Sequence, residues 1–364
     1  MTDIKVLDAR SNLRGGYKVD VSRGERVGRV SSEWFNRPAG GGRRRLTSLP
    51  IQPRIDPMPA GERFDTLLER ARGRGAIRMA IVHPTTEVVL RAAAEARDAG
   101  LIEPVLVGPE RKINVAAEEA GIDLNGWATV PTEHSHEAAE RAGLLVAEGQ
   151  VQALMKGALH TDELLHAVLA NPKVRSARRL SHVFIFDDPD YHKLFMVTDG
   201  AINIAPTLAQ KADIARNAID LFVSLELGGD PPKLAALAAV ETVSPDMVAT
   251  VDAAALAKMA ERGQLGRCLV DGPLAFDNAI SAAAAQEKGI LSAVAGDPDI
   301  LLVPNLEAGN MLAKQLTFLG DAQSAGIVVG ARLPIALTSR ADGARSRLMS
   351  CALAVLASRA GVAM

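Results

Sequence analysis

Ser339, Arg340 and Asp342 stand together where an apolar run, 335–337, gives way to polar residues. Beyond them, Leu348, Cys351, Ala352, Val355 and Leu356 recur at the spacing of a helix buried on one face. Ser339 is therefore expected just before a helix start, where free N–H groups and the helix dipole favour an anion. Arg340 adds a planar, permanently charged fork that matches phosphate. Asp342 supplies a carboxylate able to take a proton. These types together suit capture of a phosphate-like anion with proton transfer beside it. Taken alone, they also fit an ordinary helix cap with a surface arginine.

Three further places repeat an apolar run that ends in glycine and charge. Lys156 and Gly157 follow 151–155 and precede Thr161, the expected cap of a helix. Asp271, Gly272 and Pro273 end a run at 267–270, and Asp277 falls in the first turns of the next helix. Asn305, Glu307, Gly309 and Asn310 follow 300–303, with Lys314 one turn beyond Asn310 on the same helical face. Each alone reads equally well as a tight turn or a capped helix. Four in one chain point to an active-site wall, because ligands of open parallel sheets bind beyond the carboxyl ends of the strands.

The elements that hold these residues alternate. Strands are expected at 77–82, 104–107, 151–155, 183–186, 194–197, 267–270, 300–303, 327–329 and 335–337, the last three as buried parallel strands. Helices are expected at 85–99, 161–169, 209–225, 234–239 and 345–360. This is an α/β fold. Hydrophobic residues make up 48% of the chain and aromatics only 3%, so the core is built from Ala, Val, Leu and Ile, which suits helices on a parallel sheet.

Composition narrows the partners. A formal net charge of -2 gives no general attraction to nucleic acid or to a membrane surface. No apolar run approaches the roughly 18 residues of a membrane span, and no apolar signal region opens the chain, so the expected location is cytoplasmic. Cys268 and Cys351 make no disulfide framework, and no Cys or His spacing suits a metal. Both thiols read as inert core groups, and His182 as a partly buried histidine with its bonds satisfied. Residues 1–60 hold 12 Lys and Arg against 6 Asp and Glu. With Gly40, Gly41, Gly42 and four prolines after residue 49, the segment 1–61 reads as a basic, Pro/Gly-rich, flexible leader.

The motifs MKGALHTDELL, LSHVFIFD, AVETVSPDMVATVDAAALAKM, RGQLGRCLVDGPLAFDNAIS, VAGDPDILLVPNLEAGNMLAKQLTF and GIVVGARLPIALTSRAD, in this order and spacing, resemble the phosphate acetyl/butyryltransferases. The likeness runs from about Ile77 to the C-terminus, and TSRAD, MKG and the AVE stretch look nearest to phosphate butyryltransferase. The resemblance implies two α/β domains with mainly parallel sheets and an active-site cleft between them, the isocitrate/isopropylmalate dehydrogenase-like fold. The domains would be 62–178 plus 327–364, and 179–326. It implies reversible transfer of a short-chain acyl group, acetyl to butyryl, between coenzyme A and inorganic phosphate, in a homodimer or larger homo-oligomer. CoA would be a substrate, with no tightly bound cofactor and no metal. By resemblance, Ser339 hydrogen-bonds phosphate or the tetrahedral intermediate, and Arg340 binds phosphate. Asn305, Glu307 and Asn310 line the cleft, and Lys314 offers a second cation.

One position departs from the family. The acetyltransferases carry an aspartate seven residues after the motif serine, thought to be the base; here that residue is Ser346. Asp342, Asp277 and Glu307 remain as carboxylates for the role, or the bound thiol ionises without a dedicated base. Two other readings stand beside the enzyme. One is a degenerate member that binds acyl-CoA or acyl phosphate as a sensor. The other is a metal- and nicotinamide-dependent decarboxylating dehydrogenase, disfavoured because Asp271, Asp277 and Asp299 are scattered.

Overall fold

In the computed structural model, residues 61–339 and 342–359 are described. Apart from Gly61, the leader lies outside them, as does Arg340. Eleven strands form one mixed sheet: β1 (Ile77–Val82), β2 (Ile102–Gly108), β3 (Ala128–Pro131), β4 (Ala153–Lys156), β5 (Ser181–Asp187), β6 (Phe195–Thr198), β7 (Lys233–Leu237), β8 (Leu269–Leu274), β9 (Ile300–Leu302), β10 (Gln323–Val329) and β11 (Ile335–Ala336). Their order across the sheet is β3-β2-β1-β4-β11-β10-β5-β6-β9-β7-β8. Both flanks are parallel. The centre is not: β10 runs antiparallel to both β11 and β5, and β5 antiparallel to β6. The expected buried run at 327–329 is thus an antiparallel strand. Periodicity cannot tell the two apart when both faces are buried.

Helices cover both faces. On one face a single continuous core joins α1 (Glu62–Gly73), α2 (Glu87–Asp98), α3 (Glu110–Ala120), α6 (Leu208–Ser224), α7 (Val248–Glu261) and α11 (Ala344–Arg359) to the sheet. On the other face the apolar cover divides. One cluster packs α4 (Ser135–Ala147) and α5 (Thr161–Ala170) on β1, β2, β4 and β11. A second packs α8 (Phe276–Ile280) and α10 (Leu306–Leu319) on β6, β7 and β9. The two meet at mid-sheet, Val328 of β10 joining the first and Phe186 of β5 the second.

The helix expected at 345–360 is present, but it is buried on nearly every side, from Met349 to Ala357. It lies between the sheet and helices α1 and α2, so its apolar residues need no single face. The helix expected at 234–239 is instead β7. Its Leu and Ala residues favour a helix locally, but burial between β8 and β9 decides the outcome. The run at 267–270 continues as strand through Asp271, Gly272 and Pro273 to Leu274. Pro273 is tolerated there because β8 is an edge strand.

The first described helix is fixed to mid-sheet by charge. Arg63 donates to Asp187 on β5 at 2.7 Å, and the Phe64 N–H donates to the same carboxylate at 3.1 Å. Asp187 is fully buried and the Arg63 side chain nearly so. Asp187→Ala is expected to lower the unfolding free energy by about 3–5 kcal/mol, read from the midpoint of a urea titration. A loss below about 1 kcal/mol, the range of exposed pairs, would show that the pair does not hold α1.

Candidate active site

Strand β11 is only two residues long, but its register is informative. Ile335 lies beside Leu154 and Ala336 beside Met155, so the chain leaves the sheet at Leu337–Ser339 next to Lys156 and Gly157. Thr338 is buried and Ser339 exposed. The Ser339 N–H donates to the Asp342 carboxylate, and the Asp342 N–H donates back to the Ser339 carbonyl at 3.3 Å. Beneath this turn lies Arg347, on the first turns of α11 and only 4% exposed. Its guanidinium donates to Thr338 Oγ1 and to the Ser339 carbonyl, both at 2.8 Å. Its buried Nε–H meets no acceptor, and it forms no ion pair among the described residues. Burial presses its pKa downwards, while the nearby Asp342 charge opposes the shift.

Lys156 and Gly157 join this edge. The Gly157 N–H donates to the Val82 carbonyl and the Ala158 N–H to the His83 carbonyl, each at 2.9 Å. A Cβ on Gly157 would sit 2.3 Å from the Val82 oxygen, so only glycine lets the ends of β1 and β4 meet. Lys156 is buried beside it, its Nζ 3.5 Å from the Gly157 carbonyl. Thr161 begins α5 rather than capping it; the cap position is His160, without a side-chain bond. Two residues at this edge escape a sequence reading. His83 takes a left-handed φ of 55° and sets Nδ1 3.0 Å from the Ala158 carbonyl. Thr85 is within 3.5 Å of the same nitrogen. Their one sequence signal is a strand that runs into His-Pro-Thr-Thr ahead of a helix.

The second group stands across mid-sheet. Asn305 caps α10, its Oδ1 accepting the Ala308 N–H at 2.9 Å. Asn310 donates to the Gly200 carbonyl at 3.2 Å, and buried Gly309 packs on the same loop. That loop, 199–203, follows β6 and is organised by Asp199. Its buried carboxylate accepts the N–H groups of Ala201, Ile202 and Asn203 at 2.9, 3.0 and 3.2 Å. Glu307 and Lys314 are exposed, without a bonded partner among the described residues.

Asp271, Gly272, Pro273 and Asp277 form a third group that no hydrogen bond joins to the other two among the described residues. Asp271 accepts the N–H of Gly272. Asp277 pairs with Lys288, which also holds Glu241, and Glu241 accepts from the buried Asn278 at 3.3 Å. The Asn278 N–H and the Lys288 ammonium hold the Asp277 carboxyl below its ordinary range, which weakens it as a base.

His182 links the first two groups. It is fully buried, and neither ring nitrogen has a hydrogen-bond partner, contrary to the satisfied histidine expected. Its ring stacks edge-on against Phe184 at 4.3 Å and occupies the space a side chain on Gly326 would need, 2.9 Å from that Cβ position. Burial lowers its pKa, opposed by the charges of Asp199 and Asp342. The turn after β11 and the loop after β6 therefore converge over one histidine, on the face where the apolar cover divides. Two cavities elsewhere, of about 610 and 550 Å³, are lined around Gln152, Arg332 and Pro334 and around Arg78 and Trp127. Gln152 and Pro334 precede their strands, at the end opposite to that where sheet ligands bind.

The chain was compared with known proteins. The model for phosphate acetyl/butaryl transferase matches residues 135–355. The chain belongs to this family. It is 52% identical over 295 residues to a phosphate acetyltransferase of Rhizobium meliloti, covering 81% of this chain and 93% of that protein. It is 46% identical over 283 residues to a probable phosphate butyryltransferase of Bacillus subtilis, covering 77% and 93%. The crystal structure of a branched-chain phosphotransacylase from Enterococcus faecalis superposes with a TM-score of 0.68 at 32% identity, over 78% of this chain and 99% of that one. The fold is that of the phosphotransacylases, the isocitrate/isopropylmalate dehydrogenase-like α/β architecture.

Ser346, at the position where the resemblance leads one to expect an aspartate, does not point at the turn. Its hydroxyl donates to the Ser324 carbonyl of β10, while its own carbonyl accepts from Ser350 at 2.8 Å. It fastens α11 to the sheet. Ser346→Ala is expected to cost about 1 kcal/mol of stability. It should leave kcat/KM within about threefold, far from the 10²–10⁴ of a lost general base. Gly157→Ala, in contrast, forces β1 and β4 apart and is expected to destabilise by about 1–3 kcal/mol. Urea titration and steady-state rates on both variants check this. A large kinetic loss in Ser346→Ala would put the hydroxyl in the chemistry.

Proposed function

We propose that this chain catalyses reversible transfer of a short-chain acyl group between coenzyme A and inorganic phosphate, as its family membership and the turn at Ser339 support. The CoA sulfur, as thiolate, attacks the carbonyl carbon of the acyl phosphate. A carbon–sulfur bond forms, the carbon–oxygen bond to phosphate breaks, and phosphate leaves with the electron pair. Ser339 donates its hydroxyl to the phosphate or to the tetrahedral intermediate, where fixed donors act most strongly. Arg340, next in sequence, binds the phosphate. Lys156 adds positive charge at the same edge. Asp342 is the carboxylate nearest to Ser339 and takes the thiol proton as it leaves the Ser339 N–H.

Asn305, Gly309 and Asn310 hold the opposing wall with Asp199, and Thr161 and Gly157 shape the near one. Glu307, Lys314 and the group around Asp271, Gly272, Pro273 and Asp277 extend the cleft for the bulk of CoA. The domains follow as 62–178 plus 327–364, and 179–326, with the cleft over mid-sheet. CoA acts as a substrate, not a resident cofactor. No described helix is long and apolar enough to cross a membrane, which fits a cytoplasmic enzyme. Exposed Met311, Phe318 and Leu319 on α10 suit contact with a second copy.

Relatives named for acetyl and for butyryl transfer are similarly close, so acyl size rests on pocket volume, where one methylene is worth about 1–3 kcal/mol. Thioester formation from CoA with acetyl, propionyl and butyryl phosphate is expected to give turnover with one clear maximum. Ser339→Ala is expected to lower kcat/KM by about 10²–10³-fold and Asp342→Asn by about 10²-fold or more. Folded wild-type protein that binds CoA and turns over none of the three would favour a binding protein instead.

A further inference from the structure

Arg347 is a buried cation beneath the Ser339 turn that forms no ion pair among the described residues. Elsewhere the buried cations are paired. Arg63 meets Asp187 at 2.7 Å, and Lys211 meets Asp252 at 2.8 Å. Arg347 has only neutral acceptors, the Thr338 hydroxyl and the Ser339 carbonyl, and its Nε–H faces none. Asp342, the nearest carboxylate in the turn, is engaged by the Ser339 N–H instead. An unpaired interior guanidinium is costly, and that cost is offset when an anion arrives within its field.

We propose that Arg347 is a positioning residue whose charge, without an ion pair among the described residues, is met by the phosphoryl group bound above Ser339, so that phosphate affinity is built into the underside of the turn. This rests on the acyl-transfer reading given above and adds a residue to it. The guanidinium acts through Thr338 and Ser339: it fixes their orientation and keeps the turn electropositive. The same field favours the thiolate of CoA over its thiol, which lightens the demand on a base where the family aspartate is replaced.

Three variants test it: Arg347→Gln removes the charge, Arg347→Lys keeps it without the fork, and Thr338→Val removes one acceptor. The readouts are kcat, KM for acetyl phosphate, and the rise in Tm with inorganic phosphate. Arg347→Gln is expected to fold with an unliganded Tm no lower than a few degrees below wild type, to lose the phosphate-induced rise, and to raise KM about 10- to 100-fold. Arg347→Lys is expected to restore the rise and most of the KM but not kcat. Thr338→Val should keep the rise and lower kcat. If Arg347→Gln keeps wild-type KM and phosphate stabilisation, the inference fails. It also fails if Gln and Lys variants lose kcat equally with the phosphate response intact, the mark of a merely structural residue. Should Arg347→Gln not fold, the lysine variant decides alone: a retained phosphate response supports the proposal and a lost one overturns it. Absence of turnover in wild type would sink the acyl-transfer reading, while the phosphate response would still report on Arg347.

Discussion

One sheet face is covered continuously and the other is not, and the rest of the structure follows from that asymmetry. The continuous cover runs from α1 to α11 across both flanks. The divided cover meets at mid-sheet, where Val328 of β10 belongs to one cluster and Phe186 of β5 to the other. The antiparallel centre then matters, because reversal of direction at β10 and β5 brings the carboxyl end of β11 and that of β6 into neighbouring rows.

Burial without satisfaction marks the same spot. His182 and Arg347 both lie inside the protein with unpartnered ring or guanidinium nitrogens, whereas Asp199 beside them has three backbone donors. Buried polar groups are normally bonded, and unmet ones carry a cost of about 1–3 kcal/mol. Among the described residues, the buried pairs Arg63–Asp187 and Lys211–Asp252 hold α1 and α6, and Lys193 with Asp297 and Asp299 ties β6 to β9. Among the described residues, His182 and Arg347 are the unmet groups at the turn that carries Ser339; the others, at Trp127, Thr132, Arg179, Asn278 and Asp297, lie outside it. By contrast, burial pushes the Cys351 thiol up to about 12 and Cys268 up to about 11, so neither competes as a nucleophile near neutral pH.

Much of this was legible in the residues. The runs at 77–82, 300–303 and 335–337 and the start of α10 at Asn305 follow from apolar length and capping chemistry. The hinge between strand and helix at Ser339 follows from the periodicity of 345–360. What was not legible depends on three-dimensional neighbours. The Leu-Ala run of β7 reads as helix until β8 and β9 flank it. Lys156 shows its charge in sequence, but the closeness of its strand to β11 comes only from register. Arg347 looks like one more basic residue on an amphipathic helix; its burial appears only once α1 and α2 close over α11. His83 follows a strand whose end carries no glycine-charge signature of the kind seen at Gly157, whereas Asp199 and Gly200 after 194–197 do carry one, hidden behind the reading of 183–197 as a strand pair.

The central claim is that an acyl group passes directly between CoA and phosphate at the turn after β11. Exchange of isotopically labelled inorganic phosphate into acyl phosphate tests it most directly. The account predicts exchange that requires catalytic CoA, because the acyl group must move to the thiol and back before labelled phosphate can capture it. Exchange at an equal rate without CoA would contradict it, since the acyl group would then rest on the protein itself.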